Sequence, residues 1–146
     1  MQKKLTGWLI FLIMILILTI GSAGSAAGRI DQEFHSLVVN YPSVSSAILA
    51  LELFNGTAVC ASLYTAWVLY RKQSGTLSQV QTGLVVRFLC VAGGAVSFPM
   101  FAGLPNEMTA SLVQQATYDV TASLAFTSIW FLYLMRSARV KEIYGS

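Results

Sequence analysis

Four apolar stretches of about twenty residues each constrain this chain more than any other feature. A helix of about 20 residues spans the hydrocarbon core of a bilayer. Only 10% of the 146 residues are charged, whereas about 25% are charged in a typical soluble domain, so the chain has too few polar residues to cover a globule. We predict an all-α integral membrane protein, in which residues 1–146 form one domain of four transmembrane helices in an antiparallel bundle. The predicted spans are residues 5–27, 47–70, 80–101 and 111–135.

The cationic residues mark one side of the membrane. They cluster before the first span, after the second and after the fourth, as Lys3 and Lys4, Arg71 and Lys72, and Arg136, Arg139 and Lys141. Because Lys and Arg are enriched in cytoplasmic flanks, both termini are predicted to be cytoplasmic. Trp8, Trp67 and Trp130 fall near the same helix ends, at the level that indole rings prefer. The cations are scattered over these ends and form no stripe, so the net charge of +3 indicates no nucleic-acid binding.

The first span has a second interpretation. Its cationic start, its apolar run and the small residues at 21–28 also resemble a signal peptide with a cleavage site. The apolar run over residues 5–20 is long for such a peptide, and Gly24 and Gly28 have the spacing that lets two helices pack closely. We favour an uncleaved helix and keep the alternative open.

The connections are predicted from their composition. The longest, residues 28–46, is interpreted as an outer loop whose apolar part lies along the membrane surface. Residues 71–79 form a polar inner turn, and residues 102–109, which include Pro105, form a short outer turn. Short connections make the second, third and fourth helices close antiparallel neighbours.

Polar and small residues predict which helix faces turn inward. Lipid cannot satisfy polar groups, so polar faces should point into the bundle. Residues three or four apart share one helical face. The predicted inward faces carry Glu52, Asn55, Gly56, Val59, Ser62 and Ala66 in the second span, Gly83, Arg87, Cys90, Gly94 and Ser97 in the third, and Gln115, Asp119, Ser123 and Thr127 in the fourth.

Three ionisable residues lie inside the predicted spans: Glu52, Arg87 and Asp119. A charge in hydrocarbon costs roughly 2.5–3.5 kcal/mol on insertion scales, so each must be shielded, neutralised or used. At about 1.5 Å of rise per residue, Glu52 and Asp119 share the outer half, and Arg87 lies more than about 12 Å away in depth. We predict an outer polar site of Glu52, Asn55, Gln115 and Asp119, and we interpret Arg87 as an anchor in the inner half.

The chain offers little catalytic chemistry. Its single histidine, His35, lies outside the predicted spans, which excludes histidine-ligated haem and metal sites within them. Cys60 and Cys90 lack the C-x-x-C spacing of a redox pair and are interpreted as small core residues. We find no nucleophile–base pair, phosphate loop or zinc motif, and we predict no catalytic residue, metal or cofactor.

Three segments are similar to a known family. Residues 4–10 (KLTGWLI) resemble its Gly-Gly-Trp-Leu opening, with Thr6 in place of the first glycine, and residues 51–55 (LELFN) resemble its acidic second helix. Residues 129–141 (IWFLYLMRSARVK) resemble its closing Ile-Trp…Tyr…Ser-x-Arg-Val-Lys signature. The family is the bacterial four-helix domain of unknown function 2569. The resemblance implies four spans and an inner-membrane location, and it implies no activity, cofactor or catalytic residue.

The residues leave more than one function open. Small size, close-packing glycines and the lack of catalytic chemistry favour a non-catalytic accessory or assembly subunit of a larger membrane complex. The alternative is a small proton- or cation-coupled transporter that uses Glu52 and Asp119 as an intramembrane carboxylate pair. A structural role for either carboxyl group also stays open, and an intramembrane enzyme acting on lipid is the least favoured. The predicted partners are the lipid bilayer and other membrane subunits or a second copy.

Overall fold

The computed structural model describes residues 7–144, and over residues 20–36 it describes the backbone only. Within that part of the chain there are five α-helices and no β-strand, so the predicted all-α class is confirmed. The helices are α1 Gly7–Asn40, α2 Ser43–Arg71, α3 Leu77–Phe101, α4 Asn106–Arg136 and α5 Ala138–Tyr144. Lys3 and Lys4, and the side chains of residues 21–28 and of His35, lie outside the described residues.

Two of these helices, α2 and α3, are long and apolar enough to cross a membrane. They have 29 and 25 residues, or roughly 44 and 38 Å of helix, against about 30 Å of hydrocarbon in a bilayer. The described part of α1 contributes a shorter apolar segment, Gly7–Thr19. α4 is longer, at 31 residues, but less apolar.

The predicted outer loop over residues 28–46 is wrong, because α1 continues through most of it. Only Tyr41 and Pro42 separate α1 from α2. The amide of Tyr41 still donates to the carbonyl of Leu37 at 2.8 Å, so the first helix ends without unwinding. Proline is the strongest helix breaker, and the first proline in the sequence is Pro42. Polar residues alone do not end a helix.

Buried apolar side chains form two clusters at opposite ends of the bundle. The lower cluster joins the start of α1, the end of α2, the start of α3, the end of α4 and α5. Its members are Leu9, Leu12, Leu16, Ala66, Val68, Leu69, Val80, Leu84, Trp130, Leu134, Val140, Ile143 and Tyr144. The upper cluster joins the start of α2 to the end of α3 through Val44, Ala47, Phe98 and Ala102. Consecutive helices from α1 to α4 therefore run antiparallel.

The three tryptophans lie at the lower end of the bundle. Trp8 of α1 and Trp130 of α4 meet with their ring centroids 6.3 Å apart. The guanidinium carbon of Arg71 lies 4.4 Å from the ring centroid of Trp67, within the range of a cation–π contact. The three tryptophans, which the sequence placed near the same helix ends, thus lie at one end of the molecule.

Glycines on α3 bring that helix close to α2. A Cβ at Gly83 would overlap Oγ1 of Thr65, and a Cβ at Gly93 would lie 2.9 Å from the ring of Phe54. One at Gly94 would lie 3.1 Å from Cβ of Phe54. Small residues let two helix backbones approach in this way. Side chains of α2 therefore pack directly against the backbone of α3 at its glycines.

The short helix α5 closes the lower end. Its last described residue, Tyr144, is fully buried, and the hydroxyl group donates a hydrogen bond of 2.6 Å to the carbonyl oxygen of Leu69. The amide of Gly75 donates to the carbonyl of Tyr144. Lys72 (φ 52) and Gly75 (φ 79) both adopt left-handed conformations and turn the chain from α2 towards α3.

Candidate functional site in the bundle interior

A cavity of about 480 Å³ lies between the lower and upper clusters, and all four long helices line it. The lining residues are Ile15 and Thr19 from α1, Leu51 and Asn55 from α2, Arg87, Val91 and Ala95 from α3, and Asp119, Ala122, Ser123 and Phe126 from α4. Most of the wall is apolar, and the ionisable side chains in it are one arginine and one aspartate. The volume falls within the roughly 300–1,000 Å³ of small-molecule sites.

Arg87 contributes a guanidinium group whose hydrogen-bonding capacity is not fully used. Its central carbon lies 4.8 Å from the ring centroid of Phe126, so the ring covers one face of the group. Nη1 is buried, and no described residue accepts a hydrogen bond from it. Leaving a buried donor without a partner costs about 1–3 kcal/mol, and more for a charged group.

Asp119 lines the same cavity from α4, and its side chain is exposed. Its Oδ1 accepts a hydrogen bond of 3.2 Å from Nε2 of Gln115, one turn earlier. Among the described residues, no ion pair joins Asp119 to Arg87. The two opposite charges therefore line one cavity without neutralising each other by direct contact.

Two hydroxyl groups on α4 add to the set of unused polar groups. Oγ of Ser123 and Oγ1 of Thr127 are buried and have no hydrogen-bond partner among the described residues. Ser123 itself lines the cavity, and Thr127 lies one turn further along the same face. Both belong to the inward face that was predicted for the fourth span.

Arg87 and Asp119 are closer in height than the predicted spans placed them. α3 begins at Leu77 and α4 at Asn106, both earlier than predicted. Each of the two residues is then two positions before the middle of its helix. Because the helices run antiparallel, the residues lie only about 3 Å to either side of a common middle level. The structure thus brings them to one cavity, whereas the predicted spans kept them apart.

Glu52 does not line this cavity, so the structure does not bring the carboxyl groups of Glu52 and Asp119 together. Glu52 is exposed on α2, whereas Asn55 does line the cavity. The physical reason lies in Phe54, which packs against the bare backbone of Gly93. Two residues along a helix correspond to about 200°, so seating Phe54 on α3 turns Glu52 outward. Gln115 is also exposed, but its amide group holds Asp119.

The cysteines and acidic residues do not assemble a metal site. No group of three histidine, cysteine, aspartate or glutamate side chains lies close enough to share a metal within the part of the chain that the structure describes. Cys60 is exposed and Cys90 is half-buried, and both are free thiols. The interpretation of Cys60 as a core residue is wrong, since it lies on the same outward face of α2 as Glu52.

The sequence reasoning missed the contribution of α1 and of Phe126 to the cavity. Ile15 and Thr19 belong to the first span, for which no inward face was predicted, yet both line the cavity. Phe126 was not singled out, because an aromatic residue in an apolar span carries no signal of its own. Its position three residues after Ser123, on the polar face of α4, was the available clue.

Comparison with known proteins gives one match. The family model described as protein of unknown function, DUF2569, matches residues 2–145. No curated protein and no solved structure matches the chain. With nearly its whole length matched, and in agreement with the resemblance of its opening and closing segments, the chain belongs to the DUF2569 family.

Proposed function

We propose that this chain is a four-span protein of the bacterial inner membrane, with both termini cytoplasmic, that serves as a non-catalytic accessory or assembly subunit of a larger membrane complex. The observation that carries the proposal is the outward face of α2. On it, the carboxyl group of Glu52 is exposed, and the space beside Gly56 is not filled by the described residues. The transporter alternative depended on a site shared by Glu52 and Asp119, and no observation favours it.

The membrane placement is supported by helix length and by the distribution of charge. α1 runs antiparallel to α2, and α4 runs antiparallel to α3. Both α1 and α4 are longer than the two apolar helices. Arg71 and Arg136 end α2 and α4 at the lower end of the bundle, and Arg139 and Lys141 follow in α5. By the positive-inside rule this end is cytoplasmic. Fluorescent-protein and periplasmic phosphatase fusions after Ser146 test the orientation: only the former should be active.

The proposed docking surface, which we call the α2 outer face, consists of Glu52, Gly56 and Cys60. The three residues are four positions apart and exposed, so they form one line along the helix. A Cβ at Gly56 would have no atom within 4 Å. The chain thus leaves room at Gly56 that none of its described atoms fills, in the small-residue pattern of helix–helix contacts.

A groove beside this face offers hydrogen-bonding groups. It lies between α2 and α3, has a volume of about 400 Å³ and includes Cys60 in its lining. Thr57, Gln79 and Thr82 contribute polar side chains to it. Such groups hold helices together in a membrane, with about 0.6–2 kcal/mol per hydrogen bond.

The occupant that we propose is a transmembrane helix of another protein that carries a hydrogen-bond donor opposite Glu52. With α2 centred in the bilayer, Glu52 lies about 7 Å inside the hydrocarbon, where an unpaired carboxylate is costly. The described residues supply no partner for it. A second copy related by a two-fold axis would place Glu52 against its own counterpart, so charge complementarity favours a different protein.

Site-specific cross-linking tests the proposal. A photoactivatable maleimide is attached to Cys60 in a Cys90→Ser variant, and native membranes are irradiated. We expect one stoichiometric adduct with a second membrane protein, and its loss when Gly56→Leu fills the docking surface or Glu52→Leu removes the carboxyl group.

The matched control attaches the same reagent to the exposed face of α4, through Ser128→Cys in a variant that also carries Cys60→Ser and Cys90→Ser. This position should give no such adduct. A homodimer adduct at Cys60, identical adducts at both positions, or an adduct that survives Gly56→Leu would each contradict the proposal.

A further inference from the structure

The cavity between the two apolar clusters is independent of the α2 outer face and carries features of a ligand site. Its charged groups, Arg87 and Asp119, lie on different helices and do not pair directly. Nη1 of Arg87 is buried without an acceptor among the described residues, and leaving a buried charged donor unpaired is costly. Asp119 is exposed on the wall of the same cavity. A ligand between the two groups would contact both charges.

One side of the cavity is arranged to bind an acid group. Nη1 of Arg87 and the hydroxyl group of Ser123 both lack partners among the described residues, and both can donate. The planar guanidinium group presents parallel N–H bonds that match a carboxylate or a phosphate. Phe126 covers one face of this group, which leaves its edge as the binding surface.

The other side is arranged to accept hydrogen bonds. Asp119 uses Oδ1 for Gln115, and a carboxylate retains further acceptor positions. Ala95 also lines the cavity, and its carbonyl oxygen has no helical donor because the residue four positions later is Pro99, which has no N–H. Carboxylate and carbonyl oxygens are suited to an ammonium group.

We propose that the cavity binds a zwitterionic molecule, with its acid group at Arg87 and its ammonium group at Asp119. A simple anion would leave Asp119 unpaired and be repelled by it, and a simple cation would do the same at Arg87. A zwitterion satisfies both charges while the site stays neutral. The apolar walls of Ile15, Leu51 and Val91 accept a hydrocarbon part. Amino acids and phosphatidylethanolamine headgroups share this chemistry.

Binding measurements on the unmodified protein test the proposal and distinguish the two sources. In phosphatidylglycerol nanodiscs, the first arm compares leucine with 4-methylpentanoate, which lacks the amino group, and with isopentylamine, which lacks the carboxylate. The second arm compares phosphatidylethanolamine with phosphatidylglycerol retained in native mass spectrometry. We expect the zwitterion to bind at least about tenfold more tightly in one arm, because each lost charge-assisted bond costs about one order of magnitude or more.

Variants then assign the two charges. Arg87→Gln should remove the advantage of the zwitterion over the amine, and Asp119→Asn its advantage over the acid. Arg87→Lys keeps the charge without the planar fork and should bind with intermediate affinity, which covers the case in which Arg87→Gln does not fold. Arg71→Gln and Glu52→Gln, which remove a guanidinium group and a carboxyl group outside the cavity, should bind as the unmodified protein does.

Two results would overturn the proposal. One is the absence of any zwitterion advantage in both arms, the result expected if only water joins Arg87 to Asp119. The other is an advantage that persists unchanged in Arg87→Gln and Asp119→Asn, which would place the ligand elsewhere.

Discussion

The hydroxyl group of Tyr144 in α5 donates a hydrogen bond of 2.6 Å to the carbonyl oxygen of Leu69 in the last turn of α2. The last carbonyl groups of a helix have no partner within that helix, so a residue 75 positions later in the chain satisfies one of them. Both residues belong to the lower cluster and are fully buried. This bond fixes α5 to the bundle.

Replacing the hydroxyl group should therefore weaken the lower end of the bundle. We expect Tyr144→Phe to lower the free energy of unfolding by about 1–3 kcal/mol, because the buried carbonyl of Leu69 loses its donor. Unfolding in detergent, followed by circular dichroism, measures the change. Tyr70→Phe is the matched control, since Tyr70 is 70% exposed and should change stability by less than about 0.5 kcal/mol. Equal effects of the two substitutions would contradict this role of Tyr144.

The phenol group of Tyr144 should make the free energy of unfolding decrease at alkaline pH. Burial raises the pKa of Tyr144 from its usual value of 10.0 to about 12. The folded protein keeps this proton at a pH where the unfolded chain has lost it. The stabilisation is complete below pH 10 and declines as the pH rises from about 10 to 12, by up to roughly 2–3 kcal/mol. The difference in stability between unmodified protein and Tyr144→Phe should narrow across that range, and a constant difference would show that Tyr144 titrates normally.

The helical architecture could be predicted from the sequence, but the rotation of α2 about its own axis could not. Helical class and the inward face of the third span follow from composition and from spacings of three and four. On the face predicted for the fourth span, Ser123 and Thr127 are buried, whereas Gln115 and Asp119 are exposed. The rule that polar groups turn inward then assigned Glu52 to the interior. In the structure, the fit of Phe54 against Gly93 decides the orientation of α2 instead. This contact depends on residues of both helices. It cannot be predicted from the periodicity of one helix alone.

The cavity was only half accessible to sequence reasoning for a similar physical reason. Asn55, Asp119 and Ser123 were identified because polar residues in apolar spans are costly. Arg87 lines the same cavity because of where α3 and α4 begin. If the start of a helix shifts by three residues, the depth of each side chain changes by about 4.5 Å. Helix ends are the least certain element of a sequence-based prediction, so depth arguments inherit that error.

The close approach of α2 and α3 can be tested at Gly83. A Cβ there would overlap Oγ1 of Thr65, and this hydroxyl group is held by a hydrogen bond of 2.7 Å to the carbonyl of Ala61. We expect Gly83→Ala to destabilise the protein by about 1–3 kcal/mol, although alanine favours helix by up to about 1 kcal/mol. Thermal unfolding measures the effect.

A double substitution makes this prediction specific. Thr65→Ala removes the obstructing hydroxyl group, so Gly83→Ala should destabilise the protein less in that background. In the double-mutant cycle, the loss of stability in the double variant should be smaller than the sum of the two single losses by about 0.5–3 kcal/mol. Gly56→Ala, where a Cβ meets open space, is the control and should not destabilise the isolated protein. Additive effects at Gly83 and Thr65 would contradict the predicted clash.

Glu52 and Asp119 should respond in opposite ways to loss of their carboxyl groups. Glu52 is exposed on an apolar helix and has no partner among the described residues, so Glu52→Leu should leave the isolated protein in lipid bicelles unchanged or stabilise it by up to about 3 kcal/mol. Asp119 is also exposed, but it lines the cavity that contains Arg87, and Asp119→Leu removes the balancing charge and an acceptor for Gln115. That substitution should destabilise the protein by roughly 1–3 kcal/mol. Steric trapping or reversible unfolding in bicelles measures both. A loss of stability in Glu52→Leu equal to that in Asp119→Leu would mean that Glu52 has a partner within the chain, and it would remove the argument that this carboxyl group awaits one from another protein.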